Sequence, residues 1–285
     1  MADRKKKPSP TQSDASSDGL DSLVPNSDEA RKILSGWGSD LRIALLFLTR
    51  LPLPASFGLE IKKGAIAPAM RAFPIIGASL GIFGGLIMGL SEIFGWTPLV
   101  GALLAILAIA LLTGALHEDG LADVADGFGA GTSKQTRLDI MKDTQIGSFG
   151  VVALIFSIAL RVAILAGFSD VGAASAALIA AASASRAALP LIAHRLKPSR
   201  KSGLAVSAGS PDDASLYAAL ALGGALTLLF LGPVGGFIAL IIAIATCFGV
   251  IELSRRLIGG YTGDVLGAAQ QICEIAVLLA ALAVL

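Results

Sequence analysis

The chain has 285 residues, of which 54% are hydrophobic and only 15% charged, with a mean hydropathy of +0.77. That composition is too apolar for an ordinary soluble domain and makes a lipid bilayer the main solvent. With 22 basic residues against 21 acidic ones there is no electrostatic footprint for nucleic acid, and two cysteines inside apolar runs, Cys247 and Cys273, do not make a disulfide framework.

In chain order, residues 1–40 carry Lys5-Lys6-Lys7 and then abundant Ser, Asp and Pro with no apolar run behind the basic cluster. This reads as a disordered polar tail rather than a cleavable signal peptide, leaving 41–285 as one membrane-embedded domain. Residues 41–51, with Arg42 and Arg50 and a stop at Pro52, are too few to cross a bilayer and are expected to form a short interfacial or re-entrant helix. A hydrocarbon core about 30 Å thick needs roughly 20 helical residues. Uncharged runs at 72–91 and 93–116 meet that need, and 214–251 holds two such lengths around a break at Gly232-Pro233-Val234-Gly235-Gly236. Three more runs, near 147–168, 171–193 and 264–285, each contain one ionisable group: Arg161, Arg186 and Glu274. The fold class is therefore all-α, with about seven transmembrane helices.

Lys and Arg set the orientation. Connections near 50–71, 117–146, 194–213 and 252–263 hold Arg50, Lys62, Lys63, Arg71, Lys134, Arg137, Lys142, Arg195, Lys197, Arg200, Lys201, Arg255 and Arg256, whereas those near 92–98, 169–171 and 232–236 hold none. The basic set is expected to face the cytoplasm together with the N-terminus, and the C-terminus to lie outside. No internal repeat of fixed period is visible, which weakens an inverted-repeat transporter reading.

Six of the 21 acidic residues, Glu118, Asp119, Asp123, Asp126, Asp139 and Asp143, fall within 118–143 at the cytoplasmic mouth of the second span. On a helix, Asp119, Asp123 and Asp126 stand at i, i+4 and i+7 and share one face. Like charges so placed cost roughly 0.2–0.5 kcal/mol per pair, and a hard divalent cation compensates them. Mg²⁺ commonly joins a few carboxylates to substrate phosphates, and Gly120, Gly127, Gly129 and Gly131 permit close approach. The bland alternative is a solvated acidic loop offset by Lys134, Arg137 and Lys142. His117 beside the cluster is a candidate acid, base or phosphate contact, while His194 reads as an interfacial polar residue. In 259–264 the glycines form a candidate anion nest with Asp264 adding a carboxylate; a helix-start turn is the alternative. Of the arginines inside spans, Arg186 is the better phosphate candidate, and Arg161 either faces a ligand or pairs with Glu274.

His117-Glu118-Asp119-Gly120-Leu121-Ala122-Asp123-Val124-Ala125-Asp126-Gly127-Phe128-Gly129 closely resembles the signature of the adenosylcobinamide-GDP ribazoletransferase family, the cobalamin synthases of the bacterial inner membrane. Phe47-Leu48-Thr49-Arg50-Leu51-Pro52-Leu53-Pro54, Arg71-Ala72-Phe73-Pro74-Ile75-Ile76-Gly77, Ile140-Met141-Lys142-Asp143, Ile146-Gly147-Ser148-Phe149-Gly150 and Gly259-Gly260-Tyr261-Thr262-Gly263-Asp264 resemble it in the same order. The likeness covers about 40–285; Gln145, where many members would carry a basic residue, and the long polar tail depart from it.

The resemblance implies that a ribose hydroxyl of α-ribazole, or of its 5′-phosphate, attacks the cobinamide-side phosphorus of adenosylcobinamide-GDP and releases GMP. It implies Mg²⁺ held by Asp119, Asp123 and Asp126, and a proton acceptor among His117, Asp139 and Asp143. Substrate phosphates would be held by Arg50, Arg71, Lys142 and Arg186 with Gly260, Thr262, Gly263 and Asp264. The bilayer and other cobalamin-assembly enzymes are the implied partners. Two alternatives stand beside it: a CDP-alcohol phosphotransferase, whose Asp-Gly-x-x-Ala-Arg opening is absent, and a secondary transporter using Arg161, Arg186 and Glu274.

Overall fold

The computed structural model describes residues 27–51 and 63–284, and residues 1–26 of the expected tail lie outside them. Helix α1 (Ser27–Leu48) begins well before residue 41 and absorbs the expected short helix, a correction to both boundaries.

A short α2 (Ile66–Ala69) and a 3₁₀ turn (Met70–Ala72) lead into α3 (Phe73–Ile93), which is followed by α4 (Pro98–Thr113), α5 (Leu116–Ala130) and α6 (Lys134–Ile140). Then come α7 (Ser148–Ala166), α8 (Val171–Arg195), a short α9 (Leu204–Ala208), α10 (Asp213–Ile258) and α11 (Gly263–Val284). Among the described residues no strand forms; one parallel bridge pairs Pro198 with Tyr261. Asp170 and Asp212 cap α8 and α10, and N–H donation from Ala173 holds the Asp170 carboxyl below its ordinary range.

Among the described residues, five helices are long and apolar enough to cross a bilayer: α3 with its lead-in, α7, α8, α10 and α11. The bent pair α4–α5 makes a sixth if counted together. The 46-residue α10 loses helical geometry at Gly232 (φ 70, ψ 174), next to Pro233. A Cβ at Gly224 would lie 3.9 Å from the Leu240 side chain, whereas residues 224 and 240 of a straight helix stand about 24 Å apart. The element is thus two helices folded back at Gly232, where the sequence places its break.

The Ala- and Ser-rich α8 is the hub, packed against α3, α10 and α11. Small residues matter here because lipid supplies no hydrophobic drive between helices, and backbones must touch. A Cβ at Gly77 would lie 2.2 Å from the Ala182 carbonyl oxygen, and one at Gly81 2.5 Å from Ile179 Cα, so α3 packs backbone to backbone on α8. Exposed Leu86, Leu107, Phe156, Leu229 and Phe237 make an apolar exterior suited to acyl chains.

Candidate active site

At the end of α4 the chain takes two left-handed residues, Gly114 (φ 63) and Ala115 (φ 53), and α5 leaves at 89° to α4. For Ala115, the only non-glycine with positive φ among the described residues, this costs about 1–2 kcal/mol. Backbone bonds from Ala115 N to Ala110 O (2.7 Å) and from Asp119 N to Ala115 O (2.9 Å) hold the bend. Arg50 lies over it: a Cβ at Gly114 would meet Arg50 Cγ at 2.5 Å.

The bend carries α5 onto the start of α11 through glycines on both sides. A Cβ at Gly120 would sit 2.7 Å from the Asp264 carbonyl oxygen, and one at Gly267 3.2 Å from Gly120 Cα. This crossing brings Asp119 and Asp123, one turn apart on α5, to Asp264. Asp123 lies within electrostatic reach of Asp264, Asp119 and Asp126, and Asp264 within reach of Asp119. Asp119 is exposed, and Asp123 and Asp264 are half-buried. Arg200 closes one side, its Nη1 3.4 Å from Asp264 Oδ2 and its Nη2 donating to Leu138 O at 3.0 Å.

Asp126, grouped with Asp119 and Asp123 by spacing, has another task. Its carboxylate accepts N–H bonds from Gly147 (2.7 Å) and Gly150 (2.9 Å) at the start of α7. A Cβ at either glycine would lie 2.4 Å from an Asp126 oxygen, so the Gly-Ser-Phe-Gly pattern exists to admit that carboxylate. Asp264, from a distant part of the chain, is a carboxylate that the fold brings beside Asp119 and Asp123.

In 259–264, Gly259 (φ 69) terminates α10, and Thr262 caps α11, accepting from Val265 N at 3.3 Å and donating to Asp264 Oδ2 at 3.1 Å. The cap is Thr262 rather than Asp264, which leaves the Asp264 carboxylate facing Arg200. Gly260 abuts Lys197 O and Gly263 abuts the Leu204 side chain, where a Cβ would lie 2.1 and 2.9 Å away.

The other predicted site residues are dispersed. His117 is 3% exposed, its Nε2 has no partner, and it borders a small apolar pocket with Phe47, Leu48, Phe73, Leu189 and Leu266. Asp139 accepts from Gln135 Nε2 (2.9 Å) and Asp143 from Gln145 N (3.1 Å), both on an exposed surface with Lys142. Arg71 pairs with Asp40 at 2.6 Å. Arg186, expected to hold phosphate, is 1% exposed and donates to Ala182 O (3.1 Å) and Glu274 (3.4 Å), so burial and those bonds remove it from a phosphate's reach. Arg161 pairs with Glu274 at 3.4 Å, the structural alternative, and also with Glu118 at 3.1 Å. Arg200 has no motif signal; in sequence it is one of many cytoplasmic basic residues.

These features define a class, an all-helical membrane protein with a carboxylate-and-arginine site at a helix crossing. Residues 40–282 match the family described as cobalamin-5-phosphate synthase, and the chain belongs to that family. It is 42% identical over 261 residues to the adenosylcobinamide-GDP ribazoletransferase of Bradyrhizobium diazoefficiens, covering 92% of this chain and 98% of that one. It is 46% identical over 256 residues to the enzyme of that name from Azorhizobium caulinodans (86% and 95% covered). The same-named enzyme of Mesorhizobium japonicum is 43% identical over 243 residues (85% and 92% covered). No solved structure matches.

Proposed function

We propose that the protein transfers the adenosylcobinamide-phosphate group of adenosylcobinamide-GDP to α-ribazole or its 5′-phosphate, releasing GMP. The observation that carries this reading, within the family assignment, is the convergence of Asp119, Asp123 and Asp264 beside Arg200 at the Gly120–Gly267 crossing. A new ester bond forms between the ribose oxygen and the cobinamide-side phosphorus, the bond to the bridging oxygen breaks, and GMP leaves with that oxygen.

The donor set fits Mg²⁺. Among the described residues no group of three His, Cys, Asp or Glu forms a ready-made metal site. Mg²⁺ takes one or two carboxylates, keeps waters and completes its shell with substrate phosphate. One or two of Asp119, Asp123 and Asp264 would hold it. Once bound, it supplies neutralisation of the diphosphate charge. The acceptor of the ribose proton is sought at the exposed Asp139 and Asp143 rather than at His117, whose Nε2 is enclosed by apolar side chains.

We further propose seven spans: α3, α4, α7, α8, the two arms of α10, and α11. The site then faces the cytoplasm and the C-terminus the periplasm, in the inner membrane, consistent with the Lys/Arg asymmetry of the connections. A transport path through Arg161, Arg186 and Glu274 lacks support, because all three are at most 2% exposed and both arginines are paired with Glu274.

The test is GMP release by purified, detergent-solubilised protein given adenosylcobinamide-GDP, α-ribazole and Mg²⁺. Release that requires all three is expected; solute uptake into proteoliposomes with the diphosphate left intact would sink the reading.

A further inference from the structure

Arg200 belongs to the connection between α8 and α9, which a backbone latch pins beside the site. Tyr261 N donates to Lys197 O (3.0 Å), Ser199 N donates to Tyr261 O (2.9 Å), and the bridge between Pro198 and Tyr261 lies between them. The latch closes only because residue 260 is glycine, since a Cβ there would sit 2.1 Å from Lys197 O. Among the described residues, Arg200 is the only Lys or Arg within ion-pair distance of Asp119, Asp123, Asp126 or Asp264.

Its guanidinium is incompletely used. The contact with Asp264 is long at 3.4 Å, one bond goes to Leu138 O, and Nε is buried with no acceptor. Two more donors beside the same turn share that state. Arg137, whose Nη1 reaches Leu257 O at 3.3 Å, has a buried Nε without an acceptor, and so does Ser199 Oγ, 2.8 Å from where a Gly260 Cβ would stand. Buried donors are ordinarily satisfied, so a group of unmet ones next to carboxylates that suit a cation calls for an oxyanion. The planar guanidinium fork matches non-bridging phosphate oxygens, which an ammonium reproduces poorly.

We propose that Arg200 recognises the diphosphate of the substrate, exchanging its long contact with Asp264 for a phosphate oxygen while Arg137 and Ser199 border the same anion. The assignment rests on the phosphotransfer reading above. It places recognition on the latched connection between α8 and α9, where the sequence alone points to Arg186.

The experiment compares full-length wild type, Arg200→Gln and Arg200→Lys in detergent. KM is measured for adenosylcobinamide-GDP and separately for α-ribazole, and GDP binding with Mg²⁺ is measured by calorimetry. For Arg200→Gln, KM for the diphosphate substrate should rise about 10- to 100-fold, the loss of a charge-assisted hydrogen bond, with KM for α-ribazole within about twofold. GDP affinity should fall in parallel, and Arg200→Lys should recover only part of both. Unchanged KM and GDP affinity in Arg200→Gln would overturn the proposal, as would a parallel rise of both KM values with a lowered melting temperature, the mark of a merely structural latch. A wild type that releases no GMP defeats the reaction reading alone, because GDP binding still decides the role of Arg200.

Discussion

Glu118 and Asp119 are consecutive residues on α5 with opposite surroundings. Glu118, 7% exposed, accepts from Arg161 (3.1 Å) and Gln271 (3.1 Å); Arg161 also reaches Glu274, and Glu274 is shared with Arg186 and Gln270. Two carboxylates alternate with two guanidiniums across α5, α7, α8 and α11, so the charges balance inside the bundle. One residue on, Asp119 shares its surroundings with Asp123 and Asp264, three carboxylates of which, among the described residues, only Asp264 has an ion-pair partner, Arg200. Charge in a membrane interior survives only when paired, so the balanced set behaves as scaffold. The unbalanced set is the one that asks for a ligand.

Breaking the balanced set should have the largest effect. Arg161→Met leaves Glu118 without a cation while Glu274 keeps Arg186, and removing one partner of a buried pair costs about 3–5 kcal/mol, read as a lowered melting temperature in detergent. Adding Glu118→Gln to that variant should restore part of the loss; an equal loss in single and double variants would mean that the pair is uncoupled. Asp119→Asn should behave in the opposite way, with GMP release down by about 10²–10³-fold and melting nearly unchanged. A melting shift as large as that of Arg161→Met would erase the distinction between scaffold and site. Gly120→Ala should fall between them: its Cβ would lie 2.7 Å from the Asp264 carbonyl oxygen, so α5 must lift from α11. Displacement of that kind costs up to about 10²-fold in turnover. Retained turnover in this variant would show that the crossing does not set the carboxylate geometry.

The helices were legible because apolar length and loop charge are local properties, and the break at Gly232 follows from Gly-Pro chemistry alone. The acidic face of α5 was legible as well, through the spacing of Asp119 and Asp123. The bend that aims that face was not, because it depends on Ala115 taking a conformation its side chain disfavours. Nor was the pairing of Glu118 with Arg161, or of Asp264 with Arg200, since each joins residues far apart in the chain. Helical periodicity reports which residues share a face, but not which element that face meets.

Asp126 is where this limit shows most clearly, and it yields the smallest expected effect. It follows Asp123 by three residues, so spacing alone groups it with the metal-holding carboxylates, yet both of its oxygens accept N–H bonds from the start of α7. If it is a cap, Asp126→Asn keeps one acceptor oxygen and loses the charge that complements the α7 dipole, which costs about 0.5–2 kcal/mol. Melting of the solubilised protein should then fall modestly, and the Mg²⁺ concentration giving half-maximal GMP release should stay within about twofold of wild type. A metal ligand would give the reverse, with melting unchanged and the Mg²⁺ requirement raised by about tenfold or more, as expected for loss of a coordinating group. That result would return Asp126 to the site alongside its cap bonds, because a carboxylate oxygen that accepts one N–H bond keeps a second lone pair for a cation.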